Sequence, residues 1–249
     1  MLHRFGELTY LEIKERAEAG WLAVIPTGCT EQQGPHLTVD FDTWVVEAIL
    51  VAAAEYAAKA YAINALILPA MPFGPTPEHI NFGSGYIDIP VELHNQLIAS
   101  ILTSLVTQRF QKLVVWRGCG GHDLAQVVDD FNQNYKPSAQ AFLPGIPFYE
   151  LWCRMGYEHI PGGHADTFAT SLAMYLRPDS VRAELIKDPQ NDPVDWADPE
   201  LDFVKVTKTG VIGDPTHSSV ELGKQIWPEV VKTVAKILVD CVRDSNESY

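Results

Sequence analysis

The chain has 249 residues, 32 acidic against 18 basic side chains, a formal net charge of −14, and 47% apolar residues. An acidic balance of this size repels phosphate backbones, and no basic cluster with interleaved aromatics offsets it, so nucleic-acid binding is excluded from the expectations. The longest apolar stretch, Ala48 to Ala58, is broken by Glu55 and is too short to span a bilayer. The four cysteines, Cys29, Cys119, Cys153 and Cys241, are scattered without a C-x-x-C pair, and no signal-like segment opens the chain. Reduced thiols, a cytoplasmic location and one α/β domain over residues 1–249 are expected.

In chain order, Glu7 to Ala19 reads as an amphipathic helix stopped by Gly20, and Trp21 to Ile25 as a first strand. A polar loop follows, then an alanine-rich helix from Trp44 to about Tyr61 that Asp42 or Thr43 can cap. Ala65 to Leu68 is a second strand. Pro69 to Pro90 is too rich in proline and glycine for a helix and reads as irregular. Val91 to Phe110 has helical spacing, Lys112 to Trp116 is a compact buried strand, and Leu124 to Tyr135 is a helix. Gly145 to Leu151 and Phe203 to Thr207 suggest further strands. A helix opens at Gly162 to Asp166 and runs through Tyr175, and Pro178 to Asp202 is a polar loop. The last helix runs to about Val242, with a polar, frayed tail from Arg243 to Tyr249.

The chemistry concentrates where strands give way to helices. Pro26 to Asp42 reads P-T-G-C-T-E-Q-Q-G-P-H-L-T-V-D-F-D and carries Glu31, His36, Asp40 and Asp42. Open α/β sheets bind ligands beyond the carboxyl ends of their strands, and carboxylate with imidazole suits a divalent metal. Arg117 to Asp123 is a glycine-rich turn whose backbone N–H groups can approach a ligand ahead of a helix N-terminus. By themselves a solvated turn, a packing glycine and a capping histidine explain these stretches as well.

Four motifs, in order, resemble those of the creatininase (creatinine amidohydrolase) family. Thr30 to Leu37, followed by Asp42 and Thr43, is similar to T-E-Q-H-G-P-H-L, a short gap, then D-T. Glu78, His79, Phe82 and Gly83 resemble E-H-x-x-F-x-G-T, and the turn at 118–122 resembles G-H-G-G-N. His164 to Ser171 resembles H-A-G-E-x-E-T-S, and Gly210 to Pro215 resembles G-x-x-G-D-P, with Glu221 and Gly223 beyond it. The resemblance implies a three-layer αβα sandwich around a mostly parallel sheet, hydrolysis of C–N bonds in cyclic or linear amides with divalent metals, and a hexameric homo-oligomer.

Carried over residue by residue, the resemblance makes Glu31, Asp42 and Cys119 metal ligands, with His36 or His122 as a possible fourth. It makes His164 the proton-moving residue, with His122 beside it. Gln33, His36, Glu78, His79, Gly120, Gly121 and Asp166 are the expected substrate-binding set, with the Glu78–His79 stretch read as a pocket wall or subunit contact. The family pattern is broken at Gln33 and Cys119, which stand for histidines, and at Ala169, which stands for a glutamate. One zinc (or manganese) site is therefore expected rather than two. Gly121, where creatininases proper have glutamate, disfavours creatinine itself. Two other readings remain open: a silent or repurposed member that binds a small metabolite without metal, and a Cys119 nucleophile with the glycine turn as oxyanion hole.

Overall fold

A computed structural model describes residues 3–189 and 191–243. Its centre is a four-stranded parallel sheet of β1 (Leu22–Thr27), β2 (Ala65–Ile67), β3 (Lys112–Arg117) and β4 (Gln140–Phe142), in the order β2-β1-β3-β4. Side-chain alternation along a strand decides which layer each residue joins. Leu22, Val24, Ala65, Ile67, Val114 and Trp116 face one helical layer, while Ala23, Ile25, Leu66, Leu113 and Val115 face the other. All eleven are buried, so both faces of the sheet are covered, as a parallel sheet requires.

The first layer holds α2 (Phe41–Tyr61), α5 (Phe148–Arg154), α6 (Thr167–Leu176) and α8 (Val220–Arg243). The second holds α1 (Tyr10–Glu18), α3 (Val91–Thr107) and α4 (Ala125–Tyr135). The result is the three-layer α/β sandwich with a parallel sheet that the family resemblance implies. Each fully buried Leu, Ile or Val in these layers contributes roughly 1.5–3 kcal/mol. Thr9 starts α1 with a reciprocal capping box to Glu12.

Two expected strands are helical. Gly145 to Leu151 runs through Pro147 into α5, because Pro147 cannot donate to a ladder and β4 already forms that edge from Gln140 to Phe142. Phe203–Val206 is a single helical turn, α7, whose N-cap Asp202 accepts from the Val204 N–H. α2 begins three residues earlier than expected, at Phe41 rather than Trp44. Asp40 is its N-cap, its carboxylate bonded to Thr38 and Arg177 rather than to the helix N–H groups, and Asp42 and Thr43 lie in its first turn. Asp42 is turned toward Gln33 and Cys29, and the Thr43 hydroxyl bonds Cys29 O at 2.9 Å. Of the tail expected to fray, all but Arg243 lies outside the described residues. Among the described residues, no helix is long and apolar enough to cross a membrane.

The order β2-β1-β3-β4 places the site. The chain steps one way from β1 to β2 and the other way from β3 to β4, so the crevice opens beyond the carboxyl ends of β1 and β3. The two motif-bearing loops, residues 28–40 and 118–124, leave the sheet there side by side. Gly118 lets them meet: its N–H donates to Thr27 O at 2.7 Å, and a Cβ on it would overlap that carbonyl.

Candidate metal and active site

Glu31 is the centre of the site. It is 2% exposed and lies in three groups of His, Cys, Asp and Glu donors whose ligand atoms fall within 4.8 Å of one another. Those groups are Glu31 with His79 and His164, with Cys29 and Asp42, and with Glu78 and Cys119. A fourth group joins Cys29, Cys119 and His122, all buried. The expected trio of Glu31, Asp42 and Cys119 is thus gathered around Glu31 with Cys29 between its members. Cys29 Sγ is 3.1 Å from Glu31 Oε2 and 3.2 Å from Asp42 Oδ2, and Cys119 Sγ is 3.7 Å from Glu31 Oε2.

Gln33, where the family pattern has histidine, bridges the acids. Its Nε2 donates to Asp42 Oδ2 at 2.7 Å and to Glu31 Oε1 at 3.2 Å. Among the described residues no lysine or arginine pairs with either carboxylate. Burial, then the neighbouring Cys119 and Asp42, raises the Glu31 pKa well above its ordinary value. Burial likewise pushes Asp42 up to about 6, against bonds from Cys29, Glu31 and Gln33 that lower it. Burial also raises the Cys29 thiol. Two acids and two thiols packed without a fixed cation must hold protons or take up a positive ion.

Gln32 sets the two histidines against Glu31. Its Oε1 accepts from the Gly34 N–H at 2.9 Å, so its Nε2 is the end that donates to Gly210 O at 3.1 Å and to His79 Nδ1 at 3.0 Å. His79 therefore carries its proton on Nε2, which lies 3.4 Å from Glu31 Oε2 and 3.6 Å from Glu78 Oε1 without a hydrogen bond. Gln32 also accepts, through its backbone carbonyl, from His164 Nε2 at 2.8 Å. That leaves the His164 Nδ1 lone pair 3.5 Å from Glu31 Oε1. Burial is the main cause that lowers both imidazoles, His79 to about 2 and His164 to about 4, so both are neutral at pH 7. Gly210, at φ +83°, is required because any Cβ there would collide with the Gln32 amide.

Other expected residues lie around this centre. Gly120 and Gly121 are exposed, and a Cβ on Gly121 would come 3.3 Å from Glu78 Oε1 and 4.0 Å from Cys119 Sγ. Glu78 thus reaches, from the other loop, the space into which a side chain at 121 would grow. His122 is 1% exposed, and its Nδ1 lies 3.0 Å from Thr27 Oγ1. His79, expected as a substrate-binding residue in a pocket wall or subunit contact, lies at the centre because a 3-10 turn, Pro77–Phe82, carries it inward. Two expected substrate contacts are otherwise engaged. Asp166 is the N-cap of α6, accepting from Ala169 N at 3.0 Å and Gly163 N at 2.7 Å. His36 is buried against α6, its Nε2 2.8 Å from Thr170 Oγ1, and it belongs to none of the four donor groups.

Sequence reasoning did not single out Cys29, Gln32 or Phe203. The Phe203 ring packs 4.6 Å from His79 and 5.2 Å from His164, closing the apolar side of the site. Cys29 was readable, since it stands two residues from Glu31 in a motif-bearing loop. Phe203 gave no signal, because its approach depends on the return of the chain from the 178–202 loop.

A parallel sheet with a cluster of His, Cys and carboxylate side chains at its switch point defines a doubly wound α/β protein with its ligand site beyond the carboxyl ends of the strands. The family model described as creatinine amidohydrolase matches residues 6–238, and the chain belongs to that creatininase family. It is 30% identical over 232 residues to the mycofactocin precursor peptide peptidase of Mycobacterium tuberculosis, covering 88% of this chain and 82% of that protein. Solved structures with the same fold include a manganese creatininase, at 19% identity and TM-score 0.82, and a mutant creatininase of Zn-Zn type, at 19% identity and TM-score 0.81. Each covers 96% of this chain and 98% of its own.

Proposed function

We propose that this chain is a metal-dependent hydrolase that cleaves the C–N bond of an amide, either a small cyclic or linear amide or a peptide bond of the kind the mycobacterial relative's name implies. The observation that carries the reading is the composition around Glu31. The buried Glu31, the partly buried Asp42 and two thiols converge with no lysine or arginine among the described residues to balance them, and His164 offers an unshared lone pair on the same side. That set fits a divalent cation of the zinc or manganese class. Glu31 and Asp42 would hold it through their carboxylate oxygens.

A bound cation would supply Lewis acidity to a carbonyl oxygen and lower the pKa of a water. The chain's own groups do the rest. His164 Nδ1 accepts the proton of the attacking water and returns it to the leaving nitrogen, while the Gln32 carbonyl fixes the imidazole through Nε2–H. His79 presents Nε2–H toward the same volume as a donor to a developing negative charge. Gln33 holds the two carboxylates apart and oriented. The exposed Gly120 and Gly121 leave an approach for substrate beside Glu78. Gly121, in place of the creatininase glutamate, favours an amide other than creatinine.

The test is elemental analysis of protein purified without chelator or metal-affinity tag, joined to hydrolysis of a panel of short acylated peptides and cyclic amides. Near-stoichiometric metal, and amide cleavage that chelator removes and zinc or manganese restores, is expected. No metal after zinc loading overturns the reading. A second reading, metabolite binding without metal, is favoured by one observation: the Gln33 amide already spans both carboxylates. It requires ligand binding that is indifferent to chelator. One domain over residues 1–249, a cytoplasmic location and a homo-oligomer, hexameric by family resemblance, belong to the same proposal.

A further inference from the structure

The group formed by Cys29, Cys119 and His122 is not needed to hold a cation at the carboxylates, and its chemistry differs from theirs. The Thr27 hydroxyl donates to Trp116 O at 3.3 Å, so toward His122 it can only accept, and His122 Nδ1 carries the ring proton. His122 Nε2 is therefore a bare lone pair, and it is buried without a hydrogen-bond partner. A buried acceptor of this kind is costly unless a donor or a cation meets it. A methyl group at Gly74 would overlap this nitrogen, so the absence of a Cβ at 74 keeps space beside it. A ring nitrogen of His122 and the sulfurs of Cys29 and Cys119 lie within 4.8 Å of one another. Both sulfurs also approach the same oxygen, Glu31 Oε2, at 3.1 and 3.7 Å.

We propose that Cys29, Cys119 and His122 form a second cation seat, beside the carboxylate seat and sharing its wall at Glu31, that selects thiophilic ions such as zinc. Two cysteines and one histidine, with a fourth position left open, are a recognised zinc donor set. Soft sulfur donors separate this seat from the oxygen-rich one, which suits manganese as well. Binding one divalent ion ionises both thiols, so two protons leave per ion and the seat becomes electrically neutral. The seat rests on the metal-dependent reading only in sharing Glu31, and the two can fail separately.

Cobalt(II) titration of the full chain tests it, read by bound cobalt, by proton release in weakly buffered solution and by the thiolate-to-cobalt charge-transfer band. Two cobalt ions per chain are expected, one accompanied by the band and by release of two protons. Cys29→Ser should halve the band. His122→Ala should weaken the band-producing ion at least tenfold. Gly74→Ala, which leaves every ligand in place and only fills the space beside Nε2, should do the same and covers the case in which His122→Ala misfolds. Asp42→Asn should lose one cobalt and keep the band. Cobalt binding without any band overturns the second seat and leaves the carboxylate seat standing. Loss of the band in Asp42→Asn as readily as in His122→Ala shows a single shared seat and also overturns it. No cobalt at all overturns both.

Discussion

The loop after β1 and the turn after β3 leave neighbouring strands at the same edge of the sheet, yet they hold their polar groups in opposite ways. In the first, Glu31 and Asp42 are spoken for, because the Gln33 amide spans both and Cys29 touches both. In the second, His122 is anchored at one nitrogen by Thr27 and left bare at the other, and Cys119 lies 3.7 Å from Glu31 and within 4.8 Å of the Cys29 sulfur. A preorganised, hydrogen-bonded acid pair can exist without an ion. A bare imidazole beside two thiols gains most when an ion arrives. The hard-donor half of the site is thus built to hold geometry and the soft-donor half to respond to occupancy.

The largest effect that would break this comparison comes from Asp42→Asn. The amide keeps the shape but removes a charge, and Gln33 Nε2 then faces an NH2 group or forces a flip. Amide hydrolysis should fall at least about 100-fold, with manganese occupancy lost in the same preparation. Activity within a few fold of the parent chain would mean that the acid pair is scaffolding and that the soft-donor half carries the chemistry.

Gln32→Leu comes next. It touches neither carboxylate, but it removes the donor that fixes the His79 tautomer and the bond to Gly210 O. Outer-shell groups of this type are worth roughly 10–100-fold. The diagnostic readout is the pH–rate profile. A positioning role shifts its limbs, because His79 is then free to carry its proton on either nitrogen. A purely structural role lowers the rate uniformly.

How much of this was legible in the sequence follows from the same contrast. Local rules found β1, α2, α3, β3 and α4, because each has a run long enough to show its period. They missed β4, a three-residue edge strand, and read α5 and α7 as strands, because four to seven apolar residues carry no usable period and only Pro147 and Asp202 marked them as helix starts. Glu31, Asp42, Cys119 and His164 were legible because each stands in a motif. The partners that fix the tautomers of the imidazoles around them (Thr27 and Trp116 for His122, Gln32 for His79 and His164) were not. Their roles rest on backbone carbonyls and ring nitrogens brought together across as many as 132 residues.

Smaller still, and outside both donor loops' metal-facing groups, is a pH effect at His36. Burial lowers its pKa from 6.5 to about 4. The unfolded chain therefore takes up this proton first as the pH falls, and the stability linked to neutral His36 is present in full above about pH 6.5 and lost progressively toward pH 4. At 1.36 kcal/mol per unit the loss is on the order of 3 kcal/mol. Urea midpoints of the metal-free chain between pH 7 and pH 4 should fall less steeply in His36→Gln than in the parent. Parallel slopes would place the acid sensitivity in His79, His122 and His164 instead.

The smallest expected effect is the sharpest test of how the two loops differ. Thr27→Val is nearly isosteric, and Thr27 belongs to β1 while its hydroxyl serves the turn after β3. Without that hydroxyl, Trp116 O loses a donor and His122 Nδ1–H loses its acceptor, at a cost of about 1–2 kcal/mol in the metal-free chain. The proton can then move to Nε2, which closes the bare lone pair on that nitrogen. Zinc affinity at the thiol side should drop several-fold while manganese affinity at Glu31 and Asp42 holds. If both fall together, the hydroxyl supports the site as a whole. If neither moves, the imidazole needs no anchor to keep its free nitrogen available, and the division of labour between the two loops disappears.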